Sequence, residues 1–90
     1  MPRYVVQRTS SEGLRIPVAS GGAELCRGAV ERNAEDGVTW VSSFFSEDKT
    51  RAFCVYDAPT PEAIRKAAAR NRLPVDEITR VSVLDPYFYA

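Results

Sequence analysis

The chain has 90 residues, 44% of them hydrophobic and 27% charged, which is the composition of one soluble domain; residues 1–90 leave no room for a second. Its 12 basic and 12 acidic residues cancel, five against five in residues 1–45 and seven against seven in 46–90, so no net field draws it to a polyanion or a membrane. Histidine is absent, which removes the commonest transition-metal ligand and the commonest general base near neutral pH.

Near the N-terminus the apolar run Tyr4-Val5-Val6 is too short for a signal-peptide core, and no stretch approaches the length that spans a bilayer. A cytoplasmic chain is expected. Residues 3–8 lack breakers and read as a first strand. Residues 9–22 hold Pro17 and several serines and glycines, a long loop in which Leu14, Ile16 and Val18 recur every second position and are expected to tie it down. From Ala23 to about Asp36, the positions Cys26, Ala29, Val30 and Asn33 mark one helical face, and Gly37 stands where a C-terminal glycine cap belongs.

Residues 38–46 and 50–58 are aromatic and β-branched runs joined by the polar Glu47-Asp48-Lys49, the pattern of a hairpin. Thr60-Pro61-Glu62 supplies a hydroxyl N-cap, a proline at the first helical position and an acid in the first turn, so a second helix is expected to about Arg72. Residues 78–84 then form a half-exposed edge strand. The order βαββαβ predicts an α+β, ferredoxin-like fold: a four-stranded antiparallel sheet with two helices on one face, able to pair as a dimeric α/β barrel.

A sheet covered on one side should alternate apolar and polar residues along each strand, and the hairpin does not. With the loop formed by Asp48-Lys49 or by Glu47 to Thr50, Phe44 is expected opposite Phe53, Ser42 opposite Val55 and Trp40 opposite Asp57. Val41 with Tyr56, Ser43 with Cys54 and Phe45 with Ala52 then take the other face. Both faces carry large apolar groups, and the helices can cover only one. The other needs a cover, which a second copy of the chain would supply. The tail adds to it, since Tyr87, Phe88 and Tyr89 place three of nine aromatics in the last four positions. The candidate interface or ligand-pocket residues are therefore Trp40, Phe44, Phe53, Val55, Asp57 and Tyr87. Asp57, continuing an apolar side of its strand, is expected to have a raised pKa or a buried partner.

Chemistry-bearing patterns are few. Cys26 and Cys54 read as reduced core residues, with no second cysteine nearby and no imidazole to complete a zinc set. Glu47, Asp48, Asp57, Asp76, Glu77 and Asp85 could offer oxygen ligands to a hard cation if two copies pooled them, although most occupy ordinary turn positions. The run Arg51-Ala52-Phe53-Cys54-Val55-Tyr56 bears a faint likeness to an RNA-recognition strand, but it lacks the glycine and second aromatic of a stacking platform, and a net charge of zero gives phosphates no pull. No nucleophile elbow, phosphate loop or Cys-His pair is present. Ser20-Gly21-Gly22 is accounted for by the start of the first helix.

The stretches Phe45-Ser46-Glu47-Asp48, Cys54-Val55-Tyr56-Asp57-Ala58-Pro59, Pro61-Glu62-Ala63-Ile64-Arg65 and Leu73-Pro74-Val75-Asp76 resemble a family of small bacterial ferredoxin-like proteins. That family is a domain of unknown function which includes a cytoplasmic nickel-binding protein. The resemblance covers nearly the whole chain and implies a homodimer with a nickel site, without matching any ligand residue here. Carboxylate and backbone oxygens by themselves suit magnesium, calcium or manganese better than nickel. The leading expectation is a non-enzymatic cytoplasmic homodimer that holds a divalent cation, nickel by resemblance, or a small molecule at its interface. The rival is a small-molecule enzyme or isomerase of the dimeric α/β barrel type, with Asp57 or a tyrosine of perturbed pKa in a closed pocket. An RNA-binding module ranks third.

Overall fold

The computed structural model describes residues 1–10 and 20–87, and in 20–25 the backbone alone. The elements are β1 (Arg3–Thr9), α1 (Ser20–Ala34), β2 (Thr39–Phe45), β3 (Arg51–Asp57), α2 (Pro61–Arg70) and β4 (Glu77–Val81). All pairings are antiparallel, in the order β2-β3-β1-β4. This is the ferredoxin-like arrangement, with β1 and β3 central and β2 and β4 at the edges. The expected tie-down by Leu14, Ile16 and Val18 lies outside the described residues, as do Phe88 and Tyr89.

Strict alternation builds the core. Tyr4, Val6 and Arg8 of β1 and Ala52, Cys54 and Tyr56 of β3 are buried on the helix side, and Ile64, Ala67 and Ala68 of α2 are buried as well. Trp40, Val75 and Ile78 pack around this cluster.

Both helices stop by the same device. After α1 the Gly37 N–H donates to the Ala34 carbonyl at 3.1 Å and the Val38 N–H to Asn33 at 3.0 Å, with Gly37 in the left-handed region at φ 72°. After α2, the Arg72 N–H donates to Ala69 at 3.2 Å and the Leu73 N–H to Ala68 at 2.9 Å. There the left-handed position, φ 56°, is filled by Arg72 rather than glycine. At the start of α2, the Thr60 hydroxyl accepts the Ala63 N–H at 3.2 Å and Pro61 opens the first turn. The second helix thus ends its regular turns at Arg70, two residues before the expected limit, because residues 71–73 form the cap.

Candidate functional site

The flank of the sheet away from the helices is ordered in rows by its register. Across β2, β3, β1 and β4 they read Thr39, Asp57, Arg3, Val81; then Ser42, Val55, Val5, Thr79; then Phe44, Phe53, Gln7, Glu77. Apolar side chains therefore run diagonally, from Phe44 and Phe53 through Val55 and Val5 to Val81. One corner beside this stripe holds Thr39, Asp57 and Arg3, the opposite corner Gln7, Thr79 and Glu77. Phe44 is 63% exposed, while Phe53, Val55 and Val5 are half-buried by their neighbours within the sheet. Beyond Val81, the apolar Val83 and Leu84 are also exposed.

Asp57 is paired. The Arg3 guanidinium donates Nε–H to Oδ1 at 2.8 Å and Nη2–H to Oδ2 at 3.1 Å, a two-pronged bridge between neighbouring strands. Hydrogen bonding from Arg3 holds the Asp57 carboxyl below the usual carboxylate range, against a smaller opposing effect of desolvation. The expected raised pKa is thus corrected, since its guanidinium partner outweighs the apolar surroundings. The expected alternative, a partner, is what the structure has, at a half-buried position.

The expected placing of Trp40 opposite Asp57 is also corrected. Phe44 does face Phe53 and Ser42 does face Val55, but a bulge at Val41 shifts the register, so Thr39 faces Asp57 and Trp40 faces Tyr56. One extra residue reverses the side of everything before it. Trp40 consequently leaves the open flank and packs against the core, its indole N–H donating to the Ser43 hydroxyl at 2.8 Å. Four of the six candidates, Phe44, Phe53, Val55 and Asp57, share the open flank. Tyr87 is 89% exposed and does not dock on its own sheet.

At the hairpin tip an open depression of about 360 Å³ is lined by Ser46, Glu47, Asp48, Arg51 and Phe53. Of its two acids, Asp48 is occupied within the turn. Asp48 Oδ1 accepts the Thr50 N–H at 3.0 Å and the hydroxyls of Ser46 and Thr50, each at 2.7 Å. These bonds, the backbone one foremost, bring its pKa down to about 2.

The helix side holds a polar group that the candidate set missed. Arg8 is 2% exposed. Its Nη1 donates to the Pro74 carbonyl at 2.8 Å and its Nη2 to the Tyr56 hydroxyl at 3.0 Å, and among the described residues its Nε has no partner. Burial pushes the Tyr56 phenol above its usual range, although the Arg8 charge pulls the other way. A phenol held neutral in this way is a hydrogen-bonding group and not a base. The signal for Arg8 was available, because Tyr4, Val6 and Arg8 fall on one side of a period-two strand.

The model of the Nickel responsive protein SCO4226-like family matches residues 4–81. The chain belongs to that family. Among solved structures it is similar to SCO4226 from Streptomyces coelicolor A3(2), with a TM-score of 0.71 and 13% identity over 92% of this chain and 99% of that one. At that identity the likeness speaks for the fold. A search of the curated proteins found no match.

The family's name concerns nickel, so the donors of this SCO4226-like chain are the test of a metal site. Among the described residues, no three Cys, Asp or Glu side chains come together, and the chain has no histidine. Cys54 is buried in the core and Cys26 is half-buried on α1. On the open flank the carboxylates are Asp57, engaged by Arg3, and Glu77 on the edge strand. The described residues of a single copy do not fit a nickel ion. No helix of the described chain is long and apolar enough to cross a membrane.

Proposed function

We propose that this SCO4226-like chain is a non-catalytic, homodimeric binding protein whose two copies meet through their open sheet flanks and hold a ligand between them. The observation that carries this reading is the diagonal apolar stripe, ending in Phe44 at 63% exposure, on the flank that neither helix covers. A face of three seven-residue strands and one of five offers roughly 410 Å², about half of the roughly 800 Å² each partner contributes to a stable interface. The exposed Val83, Leu84 and Tyr87, which follow the edge strand, can make up part of the remainder. About a two-fold axis along the stripe, stripe covers stripe, and the Arg3 and Asp57 corner faces the partner's Gln7 and Glu77 corner. The partner's Glu77 then lies near the Arg3 guanidinium, which Asp57 already engages.

Each copy supplies two carboxylates to such an interface, so a divalent cation, nickel in the metal form of this reading, would draw its donors from both copies. The test is sedimentation at micromolar concentration together with calorimetric titration by nickel. Wild type is expected at twice the chain mass, and Phe44→Asp at the chain mass with its fold intact, because an ionised group would face apolar surface. A wild type at the chain mass overturns the dimer. A dimer that takes up nickel neither by heat nor by a change in melting temperature leaves a small organic ligand as the occupant and ends the metal form.

A further inference from the structure

We infer that Arg8 is an anion-binding residue, receiving the carboxylate or phosphate group of a small ligand on the helix side of the sheet, the flank opposite the proposed dimer contact. A guanidinium carries five N–H donors and a full positive charge, and taking it out of water is costly unless a counter-charge accompanies it. Arg8 is 2% exposed, yet among the described residues it gives hydrogen bonds to two neutral oxygens only, the Pro74 carbonyl and the Tyr56 hydroxyl. The ion pairs among the described residues join Arg3 to Asp57 and Arg70 to Glu35 and Asp36, and none includes Arg8. Its Nε–H is buried with no acceptor among the described residues. The Nε–H and an Nη N–H along the same edge of a guanidinium match the two oxygens of a carboxylate or phosphate. Tyr56 adds a hydroxyl at the same place and its ring lies 5.8 Å from Arg8 Cζ. Pro74, whose carbonyl accepts from Nη1, is itself an exposed residue.

The test compares thermal melting of the full chain in sodium chloride, sodium phosphate and sodium acetate at equal ionic strength, with the Arg8 side-chain Hε–Nε resonance followed in the same titrations. At tenfold excess over the dissociation constant, one bound anion raises the melting temperature of a domain this size by roughly 5 to 10 °C. Phosphate or acetate is expected to produce that rise and to shift the Arg8 resonance, and whichever acts identifies the anion class. Arg8→Lys keeps the charge without the paired edge and is expected to lose most of the rise; Arg8→Met is expected to lose all of it. The inference is overturned if neither anion differs from chloride and the wild-type resonance does not move. It is equally overturned if Glu12→Gln, at the acid nearest to Arg8 in sequence, lowers the melting temperature as far as Arg8→Met does while added anions have no effect, since the counter-charge would then belong to the chain.

Discussion

Gly37 and Arg72 occupy the same left-handed position after their helices, and only glycine, having no Cβ, does so without strain. Arg72 is exposed, so its side chain gives little in return for the strain. Arg72→Gly is therefore expected to stabilise the chain by up to about 1 kcal/mol, and Gly37→Ala to destabilise it by about the same amount, as read from chemical denaturation. Asp48 and Asp57 make a second residue-scale expectation. Both carboxyls titrate lower in the folded chain than when unfolded, so their contribution is complete above the unfolded value of about 4 and disappears as pH falls through the folded ones. Melting temperature should decline below about pH 5 and go on declining toward pH 2, and Asp57→Asn should flatten that decline. The residue scale is also where sequence reading was least complete. Asp57 and Arg3 lie 54 positions apart and meet only because β3 pairs with β1, so no local pattern marks the bridge.

Elements were more legible than residues, because their signals are local. Thr60, Pro61 and Glu62 announce the start of α2 by backbone chemistry alone, and Gly37 announces the stop of α1. The expected cost of Thr60→Ala is about 1 kcal/mol, measured by denaturation, since one helix N–H loses its acceptor and Thr60 is otherwise exposed. Ile64→Ala, which empties one of the largest fully buried positions, should cost about 2 to 5 kcal/mol. The hairpin shows the limit of such signals. Turn chemistry centred on Asp48-Lys49 fixes the pairing close to the tip, which is why Phe44 and Phe53 were placed correctly. Farther away, the bulge at Val41 is a property of two strands packed in a sheet, and nothing in the alternation around Trp40 reveals it.

At the level of the whole molecule, two flanks of one sheet carry two different chemistries. The helix side buries a cation, and the open side exposes a stripe of hydrocarbon between two polar corners. The four-stranded order was legible from the succession of elements; the diagonal course of the stripe was not, because it depends on register across all four strands. If the open flanks join, mass action ties stability to concentration. The wild-type melting temperature should rise as protein concentration is increased a hundredfold, and that of Phe44→Asp should stay constant.

The kink in β2 at Val41 and the shortness of β4, with Glu77 and Arg80 on it, leave neither border of the sheet a flat ribbon onto which another chain could zip. Growth sideways into a fibre is discouraged at both ends. If the open flank is occupied by a twin, as proposed, neither border of the sheet among the described residues is left to recruit a third copy, and assembly would close at two.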